Sequence, residues 1–233
     1  MRFLCLHGLG TSADIFRSQL GPIVSELEKD GSATFFFLQG SVEQPISKEI
    51  EGLYDGPYYG YFNCDYTIDG EGPDSIKEAI RNGTFQKSVS EAYTLLYDVL
   101  QEEGPFDGVI GFSHGATLAF AFLLQHAQNN PLEPPYTLFR CAVFISSLAP
   151  LGEDGVRLKY NNSAGPLLKI PTLHITGKVD AMYSESLNMY KLCDDHTAKL
   201  VRHDSGHWIP RDRKTIMVLA KAIEDLVSRS TII

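Results

Sequence analysis

Short apolar runs rich in strand-forming residues alternate along this chain with longer segments of helical period. Residues 2–6, 33–38, 107–110, 140–146, 172–176 and 198–202 read as strands, each a compact apolar or β-branched run bounded by polar, Gly or Pro positions. Between them, 14–28, 85–102, 116–128, 184–192 and 211–227 repeat apolar residues at three- and four-residue intervals and read as helices. Gly21-Pro22 should kink or restart the first helix, because proline lacks the N–H and crowds the preceding turn. Two stretches break the alternation: 40–76, full of Gly, Pro and Tyr, and 148–168, poor in apolar residues. Both are expected to be loops or lids over a site. Strand–helix alternation with crossovers of this length predicts an α/β fold, a parallel six-stranded sheet covered by helices.

The 233 residues suit one core, so a single domain over 1–233 is expected. A formal charge of -9 opposes nucleic-acid binding, which needs clustered Lys and Arg. The chain runs straight into a strand pattern with no room for a secretory leader, and its longest apolar stretch, 116–124, is too short to span a bilayer. A soluble cytoplasmic protein is the expectation. Cys5, Cys64, Cys141 and Cys193 form no C-x-x-C pair and read as buried free thiols.

The chemistry concentrates at Gly111-Phe112-Ser113-His114-Gly115, a G-x-S-x-G run that ends a strand and opens a helix. Flanking glycines permit the sharp turn that projects a serine hydroxyl into a cleft, and the helix start supplies an oxyanion donor, the His114 N–H. A serine needs a base to take its proton, ordinarily an imidazole held by a carboxylate. In this arrangement acid and histidine follow the serine, each after a later strand. Asp180 and His207 fit that order. His174 lies within a strand, His126 on a helix, His196 before a strand and His7 in the first turn; Asp204 is the nearest competitor of Asp180.

Two rival chemistries are weaker. His203 and His207 are four apart, as metal-binding histidines on a helix are, but Ser205-Gly206 opposes a helix and no Cys or Glu completes a site. No metal is expected. Gly8-Leu9-Gly10-Thr11-Ser12-Ala13 fits G-x-G-x-x-A of dinucleotide-binding oxidoreductases, yet the second strand ends in Leu38-Gln39-Gly40 without the acidic residue that would bind ribose. The same turn serves a hydrolase by offering the Leu9 N–H as second oxyanion donor. Tyr54, Tyr58, Tyr59, Tyr61, Phe62 and Tyr66 crowd one Gly-Pro segment, so Tyr58, Tyr59 and Phe62 are candidate walls of an acyl pocket, as is Trp208 beside His207. The alternative for these aromatics is to pin the loop to the body.

Leu6-His7-Gly8, Ile15-Phe16-Arg17, Gly56-Pro57-Tyr58-Tyr59, Ile110-Gly111-Phe112-Ser113, Ile170-Pro171-Thr172-Leu173-His174 and Ser205-Gly206-His207 together give the chain a wider likeness. It resembles, over nearly its whole length, the small fungal serine hydrolases that include trans-acting thioesterases and hydrolases of polyketide pathways. The resemblance implies an α/β-hydrolase fold without the usual first hairpin, the same Ser113, Asp180 and His207 triad, and no cofactor. It also implies acyl ester or thioester cleavage through an acyl-serine, releasing or editing a polyketide chain. A short-chain carboxylesterase and a non-catalytic ligand-binding relative are the alternatives. His114 departs from the Gln or Glu more usual after the serine, which leaves its backbone role intact but alters the pocket. Should the acyl group arrive on an acyl carrier domain of a polyketide synthase, Arg211, Arg213 and Lys214 beside the cleft are its expected docking residues.

Overall fold

The computed structural model describes residues 1–29, 31, 33–63, 74–152, 155–161 and 165–231. Among these, six strands form one sheet in the order β2 (Thr34–Leu38), β1 (Arg2–Leu6), β5 (Gly108–Phe112), β6 (Cys141–Ile145), β7 (Thr172–Gly177) and β8 (Ala198–His203). Every pairing in it is parallel. Two further short strands, β3 (Val42–Glu43) and β4 (Tyr59–Gly60), make a separate antiparallel ribbon. Strands β5, β6 and β7 are buried at every position, which is why their sequences are nearly continuous apolar runs.

Alternate strand residues point to opposite faces, and each face has its own helices. Helices α1 (Ala13–Leu27) and α6 (Arg213–Ser230) place Phe16, Leu20, Ile216 and Leu219 against Phe3, Cys5, Ile110 and Val143. On the other face α3 (Thr84–Glu103), α4 (His114–Asn129) and α5 (Tyr183–Lys191) set Leu96, Phe122 and Met189 against Leu4, Val109 and Phe144. Cys5, Cys141 and Cys193 are buried and free, while Cys64 lies outside the described residues.

Two expectations are corrected. Helix α1 does not restart at Pro22 but continues from Ala13 to Leu27. Proline leaves the Ser18 carbonyl without its helical donor, and Arg211 Nη2 supplies one from outside at 3.3 Å. The stretch expected to be loop over 40–76 holds the β3–β4 ribbon and, from residue 74, the start of α2 (Asp74–Arg81).

Strand β1 has β2 on one side and β5 on the other. The chain order reverses there, and the carboxyl ends of neighbouring strands lead away to opposite faces, leaving a crevice. The turns after β1 and β5 border it.

Candidate active site

Ser113 joins β5 directly to α4 with φ 52° and ψ -112°. Such a conformation costs a non-glycine residue about 1–3 kcal/mol and persists only where the surroundings hold it. They do: Ser113 N–H donates to the Ile145 carbonyl at 2.8 Å, and its own carbonyl accepts the Thr117 N–H at 3.0 Å. The flanking glycines are required by space. A Cβ on Gly111 would stand 2.4 Å from Ala116 Cα, and one on Gly115 would stand 2.3 Å from the Leu6 carbonyl oxygen.

The loops after β7 and β8 bring Asp180 and His207 to this serine. His207 Nε2 lies 3.0 Å from Ser113 Oγ, and Nδ1 lies 2.9 and 3.1 Å from Asp180 Oδ2 and Oδ1. With Nδ1–H donating to the carboxylate, Nε2 presents its lone pair to the serine hydroxyl. The loops touch so closely that a Cβ on Gly177 would meet the Ser205 carbonyl oxygen at 2.0 Å. Burial acts to raise the Asp180 pKa, but the hydrogen bond and charge of His207, with the Met182 N–H at 2.8 Å, outweigh it and hold the carboxyl below its usual range. Asp180 is thus an anion at neutral pH. Asp204, by contrast, is exposed and paired with Lys178 at 2.7 Å. His203 is buried and accepts the Ser205 N–H at Nδ1, while His207 faces the serine.

The turn after β1 completes the crevice. Gly10 has φ +64°, and a Cβ on it would meet the Pro45 carbonyl oxygen at 2.5 Å. Among the described residues no group accepts the Leu9 N–H. At the start of α1, Ser12 Oγ takes the Ile15 N–H and Gln39 Oε1 takes the Ala13 N–H. Protein groups therefore occupy the helix start and cover Gly10, where a dinucleotide pyrophosphate would have to approach.

The His114 side chain does more than the sequence suggests. It is fully buried, its Nε2 accepts the Tyr61 N–H at 3.0 Å, and the Phe62 ring packs on it at 4.2 Å. Burial, with His7 nearby, pushes its pKa down to about 3. The Tyr61 hydroxyl accepts the His7 N–H and donates to the Leu38 carbonyl, both at 2.9 Å. His7 Nε2 accepts the Gly40 N–H at 3.0 Å, and burial lowers its pKa to about 4. Residue 61 thereby ties the turn after β1 to the turn after β5. His7 directly after β1 and His114 directly after Ser113, each beside a glycine, were the available signal, but their partners lie over thirty and fifty positions away.

The sequence matches the pattern described as serine hydrolase (FSH1) over residues 1–219. The chain belongs to this family. Among its relatives, hydrolase phiM of Talaromyces stipitatus is 33% identical over 239 residues, spanning 97% of this chain and 87% of that protein. Esterase FPY3 of Fusarium mangiferae is 31% identical over 234 residues, spanning 100% and 99%. The Bacillus cereus carboxylesterase structure superposes with a TM-score of 0.57 at 16% identity, covering 96% of this chain and 87% of that one. That likeness shows the α/β-hydrolase fold, and the family makes this chain a serine hydrolase.

Within this FSH1-family hydrolase the remaining candidates take different places. Phe62 is buried against His114, whereas Trp208 is 54% exposed. Tyr59 lies in β4, and its backbone carbonyl accepts the Gly10 N–H at 3.0 Å. Tyr58 donates to the Tyr54 carbonyl, and Tyr54 Oη meets Ser18 Oγ and Arg211 Nη2. Tyr54 and Tyr61 pin the loop to the body, while the Tyr58 hydroxyl bonds within the loop; Tyr66 lies outside the described residues. Arg211 is held by Ser18 and Tyr54, while Arg213 and Lys214 are exposed in the first turn of α6 behind the Asp212 cap. No helix among the described residues is long and apolar enough to cross a membrane.

Proposed function

We propose that this enzyme hydrolyses acyl esters or thioesters, with Ser113 as nucleophile, His207 as general base and Asp180 as the group that orients His207. The unbroken series Ser113 Oγ, His207 Nε2, His207 Nδ1 and Asp180 carboxylate carries the reading. As Oγ bonds to the acyl carbon, its proton passes to His207 Nε2, and the imidazolium is stabilised by the buried Asp180 anion. The Leu9 and His114 N–H groups hold the oxyanion. The tetrahedral adduct collapses, the C–O or C–S bond breaks, and the alcohol or thiol leaves with the proton from His207. Water then gives its proton to His207 and attacks the acyl-serine, releasing the acid and restoring Ser113. Protein groups and water suffice for these steps.

The finer reading is a polyketide acyl chain delivered in the cytoplasm on an acyl carrier domain. The motif likeness to polyketide-pathway hydrolases supports the acyl class, and the free buried thiols support a reducing compartment. Arg213 and Lys214, exposed shortly after Trp208, support docking of an acidic carrier, with Arg211 fixing the segment to Tyr54. The test compares release of a carrier-bound acyl group with hydrolysis of the same acyl group on a small thiol. Replacing Arg211, Arg213 and Lys214 together by Ala should slow carrier release by about tenfold at low salt and less at moderate salt, sparing the small thioester. Equal effects on both substrates contradict docking, and a wild type active only on small esters returns a short-chain carboxylesterase.

A further inference from the structure

The turn after β1 carries the Leu9 N–H to the border of the nucleophile, since a Cβ on the preceding Gly8 would stand 3.8 Å from Ser113 Cβ. A donor serves a developing oxyanion best when it is already in place, because turning it at the moment of reaction costs part of what it returns. Leu9 lies in a turn, outside any strand or helix that could fix it. The polar groups on either side of it are fixed instead by the rest of the chain. The Gly8 carbonyl accepts the Thr11 hydroxyl at 2.8 Å and the His7 Nδ1–H at 2.7 Å. The Gly10 N–H donates to the Tyr59 carbonyl at 3.0 Å, the Tyr59 N–H to the Thr11 carbonyl at 2.7 Å, and the Ser47 N–H to the Gly10 carbonyl at 3.0 Å. Between these committed groups the Leu9 N–H has no acceptor among the described residues.

Tyr59 belongs to β4, so the β3–β4 ribbon is what grips the turn. Its next residue sets how closely. A Cβ on Gly60 would stand 2.8 Å from Leu9 Cδ1 and 3.5 Å from His114 Nε2, and the following Tyr61 N–H donates to that same Nε2 at 3.0 Å. The ribbon is seated in turn on the chain just past β2, where a Cβ on Gly40 would meet the Gly60 carbonyl oxygen at 2.4 Å. Neither Gly40 nor Gly60 has a positive φ, so what these glycines provide is space. We propose that the β3–β4 ribbon positions the oxyanion site, with Gly60 the positioning residue that lets it hold the Leu9 N–H against the reacting oxygen. The assignment rests on Ser113 being the nucleophile and Leu9 an oxyanion donor.

The test compares a small acyl ester with its thionoester, in which sulfur replaces the carbonyl oxygen and nothing else changes. Sulfur is larger and a weaker hydrogen-bond acceptor, so donors set for oxygen serve it poorly, and the wild type should favour the ester in kcat/KM by about 100-fold or more. Gly60→Val drives a side chain into Leu9, and Gly40→Ala independently displaces Gly60. Each should lower the ester preference by about tenfold, through kcat of the ester with KM little changed. The ratio within one variant does not depend on how much of it is folded, so a merely structural ribbon would lower both rates together and leave the ratio intact. An unchanged ratio in both variants, or a wild type that does not distinguish ester from thionoester, overturns the assignment while labelling of Ser113 by a fluorophosphonate stands. If the wild type cleaves neither substrate and Ser113 is not labelled, the hydrolase reading of the site falls with it.

Discussion

His114 and His207 are both imidazoles at the crevice, and their partners give them opposite work. His207 stands beside a carboxylate and offers Nε2 to a hydroxyl, so it can take and return a proton. His114 is buried, kept neutral by burial, and accepts a backbone N–H from Tyr61. A glutamine can place its amide oxygen on the same N–H, whereas leucine leaves that donor unsatisfied at a cost of about 1–3 kcal/mol. His114→Gln should therefore keep kcat within about threefold, while His114→Leu should lower kcat by about 10- to 100-fold with little change in KM, as expected for disturbed oxyanion donors. Steady-state kinetics on matched, folded samples checks this. Equal losses in the two variants, or a fully active leucine variant, would show that the acceptor at residue 114 does not matter.

At the scale of elements, the strand-to-helix junction leaves no space for a side chain at either flanking glycine. Gly115→Ala would drive a Cβ into the Leu6 carbonyl and should destabilise the protein by about 2–4 kcal/mol, since neither β1 nor α4 can move freely. Gly21 in α1 meets nothing within 4 Å of a built Cβ beyond its chain neighbours, but Pro22 crowds a side chain on the residue before it in helical backbone, so Gly21→Ala should leave stability within about 1 kcal/mol of the wild type. Urea unfolding of both variants measures the contrast. The elements themselves were legible because buried parallel strands carry unbroken apolar runs and surface helices a 3.6-residue period. That α1 does not restart at Pro22 could not be read locally, because the partner of the freed Ser18 carbonyl, Arg211, is 193 positions away. Helix α2 was hidden beside a Gly- and Pro-rich stretch, although Ile76, Ala79 and Ile80 have helical spacing. Asp180 and His207 could be singled out from chain order, but Tyr61 could not, because its hydroxyl bridges β1 and β2 through backbone groups that no motif encodes.

For the whole molecule, buried histidines set an acid limit, His203 among them, whose pKa burial also lowers. Burial lowers the pKa of His7 to about 4 and of His114 and His174 to about 3. Each is neutral in the folded chain, and each binds a proton near pH 6.5 once unfolded. Their contribution to stability is fully present above about pH 6.5 and is lost as pH falls toward the folded values, at about 1.4 kcal/mol per pH unit for each histidine. Unfolding free energy should thus fall steadily from pH 7 to 5. His174, packed between Phe144 and Tyr190 away from the crevice, can be replaced to test the share of one group. His174→Leu should flatten the slope by about 1.4 kcal/mol per pH unit, and an unchanged slope would contradict the assignment. All of this scaffolding converges on the Ser113 hydroxyl, the nucleophile of the proposed mechanism. The most direct measurement is peptide mapping after reaction with a fluorophosphonate, comparing wild type with Ser113→Ala and Asp180→Asn. One adduct on the peptide containing Ser113, absent from Ser113→Ala and formed roughly 10⁴-fold more slowly in Asp180→Asn, is the expected result; an adduct on another residue, or undiminished labelling of folded Ser113→Ala, would contradict it.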